Sequence, residues 1–219
     1  MKKVKLMNRS NPSLIDELTS DLEPVQPIRL WQGVALVIVS ALATIALVET
    51  FDGLWTGALQ GHASTEYFIT NGMLALLGAA ASFAVIKMGS PHVGNSHDGA
   101  RWSALMVALL PLTAAIVLGI SGLADAAIGD THGFECFLAG SGFGLVVAGA
   151  LTAWLRRGAP VSLTSAGTYT GIAAGAIGSF AYGLACPIDD IGHLGIWHIA
   201  PVIVSGIVGR FAIPPLVRW

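Results

Sequence analysis

The sequence predicts an all-α, polytopic membrane protein with six transmembrane helices and both termini in the cytoplasm. Three observations carry this. Of the 219 residues, 54% are hydrophobic and only 11% charged, with a mean hydropathy of +0.72, against roughly 25% charged in soluble domains. Six stretches approach the ~20 apolar residues that a hydrocarbon layer of ~30 Å requires: Leu30–Val48, Phe68–Met88, Trp102–Leu123, Cys136–Leu155, Leu163–Leu184 and Ile196–Ile213. Lys and Arg are confined to alternate connections, which is the positive-inside pattern. None of the runs alternates apolar with polar residues, so the dyad repeat of a membrane barrel is excluded.

The basic residues define the sides. Lys2, Lys3, Lys5, Arg9 and Arg29 precede the first run, Lys87 and Arg101 flank the second connection, Arg156 and Arg157 lie in the fourth, and Arg210 and Arg218 close the chain. The first, third and fifth connections hold no Lys or Arg. They carry Glu49, Asp52, Glu66, Asp125, Asp130, Glu135, Asp189 and Asp190 with His62, His132 and His193. This places both termini in the cytoplasm and those loops on the outer side of the membrane.

Several function classes fall away on composition. The balance of 11 Lys+Arg against 13 Asp+Glu offers no basic surface, so direct contact with nucleic acid is not expected. A metal transporter or proton relay places ionisable groups at mid-membrane, and no Asp, Glu, Lys or Arg sits in the middle of a run. A membrane thiol–disulfide enzyme needs a closely spaced reactive pair and a quinone site, whereas Cys136 and Cys186 are far apart and form no CxxC motif. These two alternatives are weaker than a non-enzymatic role, and no cofactor is required.

The 29 residues before the first run are too few for a core of their own, which divides the chain into an arm, 1–29, and a membrane domain, 30–219. In the arm, Leu14, Leu18 and Leu22 recur at helical spacing with Ile15 beside them, and Asp16, Glu17 and Asp21 lie mostly opposite. Pro24 stops this amphipathic helix, and Pro24 and Pro27 hold the following segment extended. Helices that rest on lipid usually carry Lys and Arg on the polar face. An acidic one suits a basic protein partner, bound helix-in-groove.

The fourth and fifth runs have small residues at every fourth position: Gly140, Gly144, Ala148 and Thr152 in one, Gly167, Gly171, Gly175, Ser179 and Gly183 in the other. Such rows let helices approach closely in lipid, so the two are expected to pack on each other through them. Cys136 and Cys186 are equidistant from Val161 in the intervening turn, and equal rise per residue brings both thiols to one outer level. A lone cysteine at a helix end is commonly a small apolar residue. The matched depth, and the nearby His132, Glu135, Asp189, Asp190, His193 and His198, point instead to a functional pair. Two chemistries remain open. The thiols can coordinate zinc, cadmium or copper transiently with the histidines or Asp189 and Asp190 as further ligands, or they can close a disulfide. Cys136, at the start of its run, is expected to be the more acidic thiol because a helix N-terminus stabilises a thiolate.

The string Asp21 to Arg29, the segment Phe180-Ala181-Tyr182-Gly183-Leu184, Cys186-Pro187, Ile196-Trp197-His198 and the closing Leu216-Val217-Arg218-Trp219 together resemble the negative regulator of sigma-F (NrsF-type) anti-sigma factors of bacteria. The family pattern has His before the second cysteine and an acid after Cys-Pro; here those positions are Ala185 and Ile188. The resemblance implies an inner-membrane protein that holds an extracytoplasmic-function sigma factor inactive. It further implies that Cys136 and Cys186 sense heavy metals or oxidants. The sigma-binding segment is then Leu14 to Pro27, including Leu14, Ile15, Asp16, Glu17, Leu18, Asp21, Leu22, Pro24, Val25 and Pro27.

Overall fold

Long apolar runs bounded by Ser, Asp and Pro become helices, since a backbone in lipid must satisfy its hydrogen bonds within its own segment. The computed structural model describes residues 16, 19–20, 28–58, 60–90, 98–122 and 130–218. Among them every element is helical: α1 (Leu30–Phe51), a 3₁₀ turn (Thr56–Ala58), α2 (Thr65–Met88), α3 (Asp98–Ser121), α4 (Thr131–Arg156), α5 (Leu163–Gly183), α6 (Ile191–Trp197) and α7 (Ala200–Val217). In the arm, Asp16 and Thr19 are helical, and the Ser20 N–H donates to the Asp16 carbonyl at 3.0 Å. Leu14, Ile15, Glu17, Leu18, Asp21, Leu22, Pro24, Val25 and Pro27 lie outside the described residues.

Among the described residues, five segments are long and apolar enough to cross a membrane: α1, α2, α3 from Ala100, α4, and the combined stretch Ile191–Val217. The remaining run, α5, has the length at 21 residues, but its Gly, Ser and Thr make it less apolar. It can afford this because α5 is the most enclosed helix, packed against α2, α4 and α7. Outward faces elsewhere are apolar, with Leu42, Leu76, Leu105, Ile116, Leu145, Ile207 and Phe211 exposed, as side chains that meet lipid must be.

The two ends of the bundle are distinct. At one, the start of α1 meets the ends of α2 and α4: the Trp154 indole N–H donates to the Ile86 carbonyl at 3.2 Å, and the Ala159 N–H to that of Gly89 at 3.0 Å. Arg29, Lys87, Arg156 and Arg157 belong to this end. At the other, the Trp55 N–H donates to the Leu184 carbonyl at 2.8 Å, and Ser64 pairs with Asp189.

Two sequence expectations change. The fourth-run row does face α5: a methyl group on Gly144 would sit 2.5 Å from the Ala174 carbonyl oxygen, and one on Gly140 3.1 Å from Ser179 Oγ. The fifth-run row, however, turns mainly to α7. Gly167 abuts Gly209, Gly171 abuts Ser205 and Gly206, and Gly175 abuts Pro201 and Val202, while Gly183 meets Asn71 of α2. An i, i+4 row drifts around a 3.6-residue helix, and α5 is small on nearly every side, so its glycines do not single out one neighbour.

The expected sixth run, Ile196–Ile213, is not one helix. It is interrupted at His198 and Ile199, between α6 and α7. Pro201, in the first turn of α7, has no N–H to donate backwards. The Val202 N–H donates to the Ile199 carbonyl at 3.0 Å, and the His198 carbonyl, which an unbroken helix would pair with Val202, accepts the Ser179 hydroxyl of α5 at 2.7 Å. The break turns the His198 side chain into the bundle, where it is almost fully buried.

Candidate functional site

Three helix starts and one loop converge at the end of the bundle away from Arg156. Asp130 caps α4, its carboxylate accepting the His132 N–H at 3.0 Å. Cys136 follows in the second turn. Beyond α5 the chain turns at Leu184 and Ala185, the Cys186 N–H donating back to the Tyr182 carbonyl at 3.1 Å, and Asp190 then caps α6 by accepting the N–H groups of Gly192 (2.9 Å) and His193 (3.0 Å). This cap sets the position of His193, and the α6–α7 break supplies His198.

The side chains meet. Cys136 Sγ and Cys186 Sγ are 3.8 Å apart, and His193 Nε2 lies 3.4 Å from the first and 3.5 Å from the second. A bonded S–S distance is about 2.05 Å, and both thiols are free. The other ring nitrogen of His193 faces Asp130 Oδ2 at 3.0 Å. The ring of His198 lies 5.5 Å from that of His193, with its Nε2 buried and lacking a hydrogen-bond partner. Each of Cys136, Cys186, His193 and His198 is buried, and each presents a ligand atom within 4.8 Å of the others'.

The electrostatics follow from this contact. The Cys186 thiol is held well below its ordinary range, chiefly by the hydrogen bond it receives from Cys136, with the two imidazoles adding to the effect. Asp130 is lowered too, first by its hydrogen bond from His193 and then by the amides of α4. The expectation that Cys136 is the more acidic thiol rested on its opening a helix. Cys136 does not open its helix; it lies a turn inside α4, beyond the reach of the unpaired first-turn N–H groups, while Cys186 sits where the donors converge.

Of the residues singled out in the sequence, Cys136, Cys186, His193 and His198 come together. His132 is exposed and enters only through its backbone N–H. Asp189 staples the loop to the start of α2, accepting the Ser64 N–H at 2.7 Å, while its carbonyl accepts the Ser64 hydroxyl at 2.9 Å. Asp190 is spent on the α6 cap. Asp130 was legible only as one outer-loop acid among several; its signal was the helix-start position just before Thr131, which aims a carboxylate along the first turn.

The comparisons with known proteins bear on the whole chain. The model of the family "NrsF: Negative regulator of sigma F" matches residues 18–219. The chain belongs to this family. The NrsF match begins at Leu18, so it takes in the second half of the amphipathic arm as well as every helix from α1 onward. A curated NrsF relative, the anti-sigma-F factor of Caulobacter vibrioides, is 29% identical over 223 aligned residues, covering 94% of this chain and 98% of the relative. No solved structure matches.

Proposed function

We propose that this chain is a membrane-bound anti-sigma factor. Its N-terminal arm, 1–29, sequesters an extracytoplasmic-function sigma factor, and its membrane domain, 30–219, releases that factor when Cys136 and Cys186 meet a periplasmic heavy metal or oxidant. The observation that carries the reading is the family match over residues 18–219. The facing thiols, 3.8 Å apart in a buried site, support the sensing half.

In this reading α5 is the sixth span, shielded by its neighbours, and both termini lie in the cytoplasm of a bacterial cell, with the cysteine site on the periplasmic side. Leu14, Leu18 and Leu22, flanked by Ile15, dock in an apolar groove of the sigma factor. Asp16, Glu17 and Asp21 cover its basic residues, and Pro24, Val25 and Pro27 hold the arm away from the bilayer. The bilayer tether keeps the sigma factor from its promoters. A signal at the cysteines acts only by favouring the releasing state over the resting one. The protein is not an enzyme in this scheme, and it touches no nucleic acid.

The test is co-expression of the full chain with an extracytoplasmic-function sigma factor from the same genome, followed by capture from detergent. Leu18→Asp with Leu22→Asp should abolish capture while leaving the chain in the membrane. Undiminished capture by that variant would refute the arm's role. A reporter insensitive to cadmium or peroxide in cells carrying the native chain would refute the sensing half.

A further inference from the structure

The cluster holds more than a pair of thiols. In a tetrahedral centre with metal–sulfur bonds of about 2.3 Å and metal–nitrogen bonds of about 2.05 Å, the S···S edge is about 3.8 Å and each S···N edge about 3.6 Å. The observed Cys136–Cys186 edge is 3.8 Å, and the two edges to His193 Nε2 are 3.4 and 3.5 Å. Three corners of such a tetrahedron are thus already spaced for it. His198 is the fourth group within 4.8 Å.

We propose that Cys136, Cys186, His193 and His198 form a closed four-ligand site for one divalent zinc or cadmium ion, with Asp130 orienting His193 from behind. The proposal rests on the reading of the cysteines as a sensor and deepens it: two imidazoles complete the receptor. Two thiolates neutralise a divalent ion and two imidazoles add no charge, so the centre is neutral, which suits four buried residues. A copper(I) ion in the same shell would leave a buried negative charge. Asp130 takes the Nδ1–H of His193, which turns the Nε2 lone pair to the thiols, the usual carboxylate–histidine arrangement behind a metal. Four protein ligands leave no open position for a substrate, so the site binds and reports and does no catalysis. The ligands come from α4, the α5–α6 loop, α6 and the α6–α7 break, so one ion ties four separate segments together.

The experiment uses the full chain, reduced and in detergent, titrated with cobalt(II) and then displaced by zinc(II) or cadmium(II). One cobalt per chain is expected, with the intense visible bands of a tetrahedral ion and a sulfur-to-cobalt charge-transfer band of two-thiolate intensity. Cys136→Ser and Cys186→Ser should each halve that band. His193→Ala and His198→Ala should keep it, alter the visible bands and weaken binding at least tenfold. Asp130→Asn should weaken binding by about 10- to 100-fold, and His132→Ala should change nothing. Because an alanine can also loosen the fold, His193→Cys and His198→Cys should restore tight binding and intensify the charge-transfer band. Native affinity and spectrum in the His193→Ala, His198→Ala double variant would overturn the proposal, as would a native chain that takes up no cobalt while both thiols titrate as free. Sigma-factor release is read separately. If cadmium releases it equally well from that double variant, the four-ligand site is wrong and the anti-sigma reading stands; if the site loads as expected and nothing is released, the converse holds.

Discussion

Replacing Gly175 by Ala should loosen the protein at a close backbone contact between α5 and α7. A methyl group there would lie 2.5 Å from the Pro201 carbonyl oxygen, 2.7 Å from the Val202 Cα and 2.8 Å from the Pro201 carbonyl carbon. Non-bonded carbons rest at about 3.5–4.0 Å, so relief requires α7 to move about 1 Å from α5. All three atoms are backbone, and no rotamer change can absorb the clash. Overpacking of this kind costs about 1–3 kcal/mol, offset by at most about 1 kcal/mol of helix propensity gained over glycine. The net loss is roughly 0–2 kcal/mol. The displaced residues lie three and four positions after His198, so the thiol–imidazole cluster should loosen as well. The measurement is thermal unfolding in detergent by circular dichroism, paired with the rate at which a thiol-reactive dye reaches the buried cysteines. Gly142→Ala, where nothing lies within 4 Å of the added methyl, is the control and should be neutral or mildly stabilising. A Gly175→Ala protein that melts later than Gly142→Ala and labels no faster than the native chain would refute the reasoning.

Trp154→Ala should cost about 3–5 kcal/mol, because the indole is fully buried, bonded to the Ile86 carbonyl and pressed against Gly33 and Gly89; unfolding in graded detergent mixtures measures it, and a loss under 1 kcal/mol would contradict the packing. In the reduced, metal-stripped chain, Cys186 should be alkylated before Cys136, with adducts assigned by mass spectrometry. Its lowered pKa means the thiolate persists as pH falls below the ordinary thiol value, so the rate should stay nearly flat from about pH 8.5 to 6; a tenfold fall per pH unit would exclude this. Gly195→Leu should disrupt the contact between α6 and α3, since even a methyl group there would meet Ala114 Cβ at 2.6 Å and the Leu110 carbonyl oxygen at 3.0 Å. Because α6 carries His193, the variant should bind cobalt more weakly, and unchanged affinity would show that α3 does not hold α6 in place.

Length and depth are local properties, and the sequence by itself determined them. A run of apolar residues either has the ~30 Å reach of a span or does not, which is why α1 to α5 each overlie an expected run, although α4 begins ahead of Cys136 and the last run is divided between α6 and α7. Cys136 and Cys186 share a level because each residue of helix contributes the same rise, and counting from the turn at Val161 was enough to pair them. Rotation about the axis is not local. Which neighbour receives Gly167, Gly171 and Gly175, and where Pro201 divides the last run, depend on the simultaneous packing of α2, α4 and α7 around α5. The same holds for the site. His132 and His193 read alike as outer-loop histidines, and Asp130 and Asp189 as outer-loop acids. Only the capping of α6 by Asp190 and the convergence of α4 and α6 brought His193 onto Asp130 and the two thiols, and left His132 exposed.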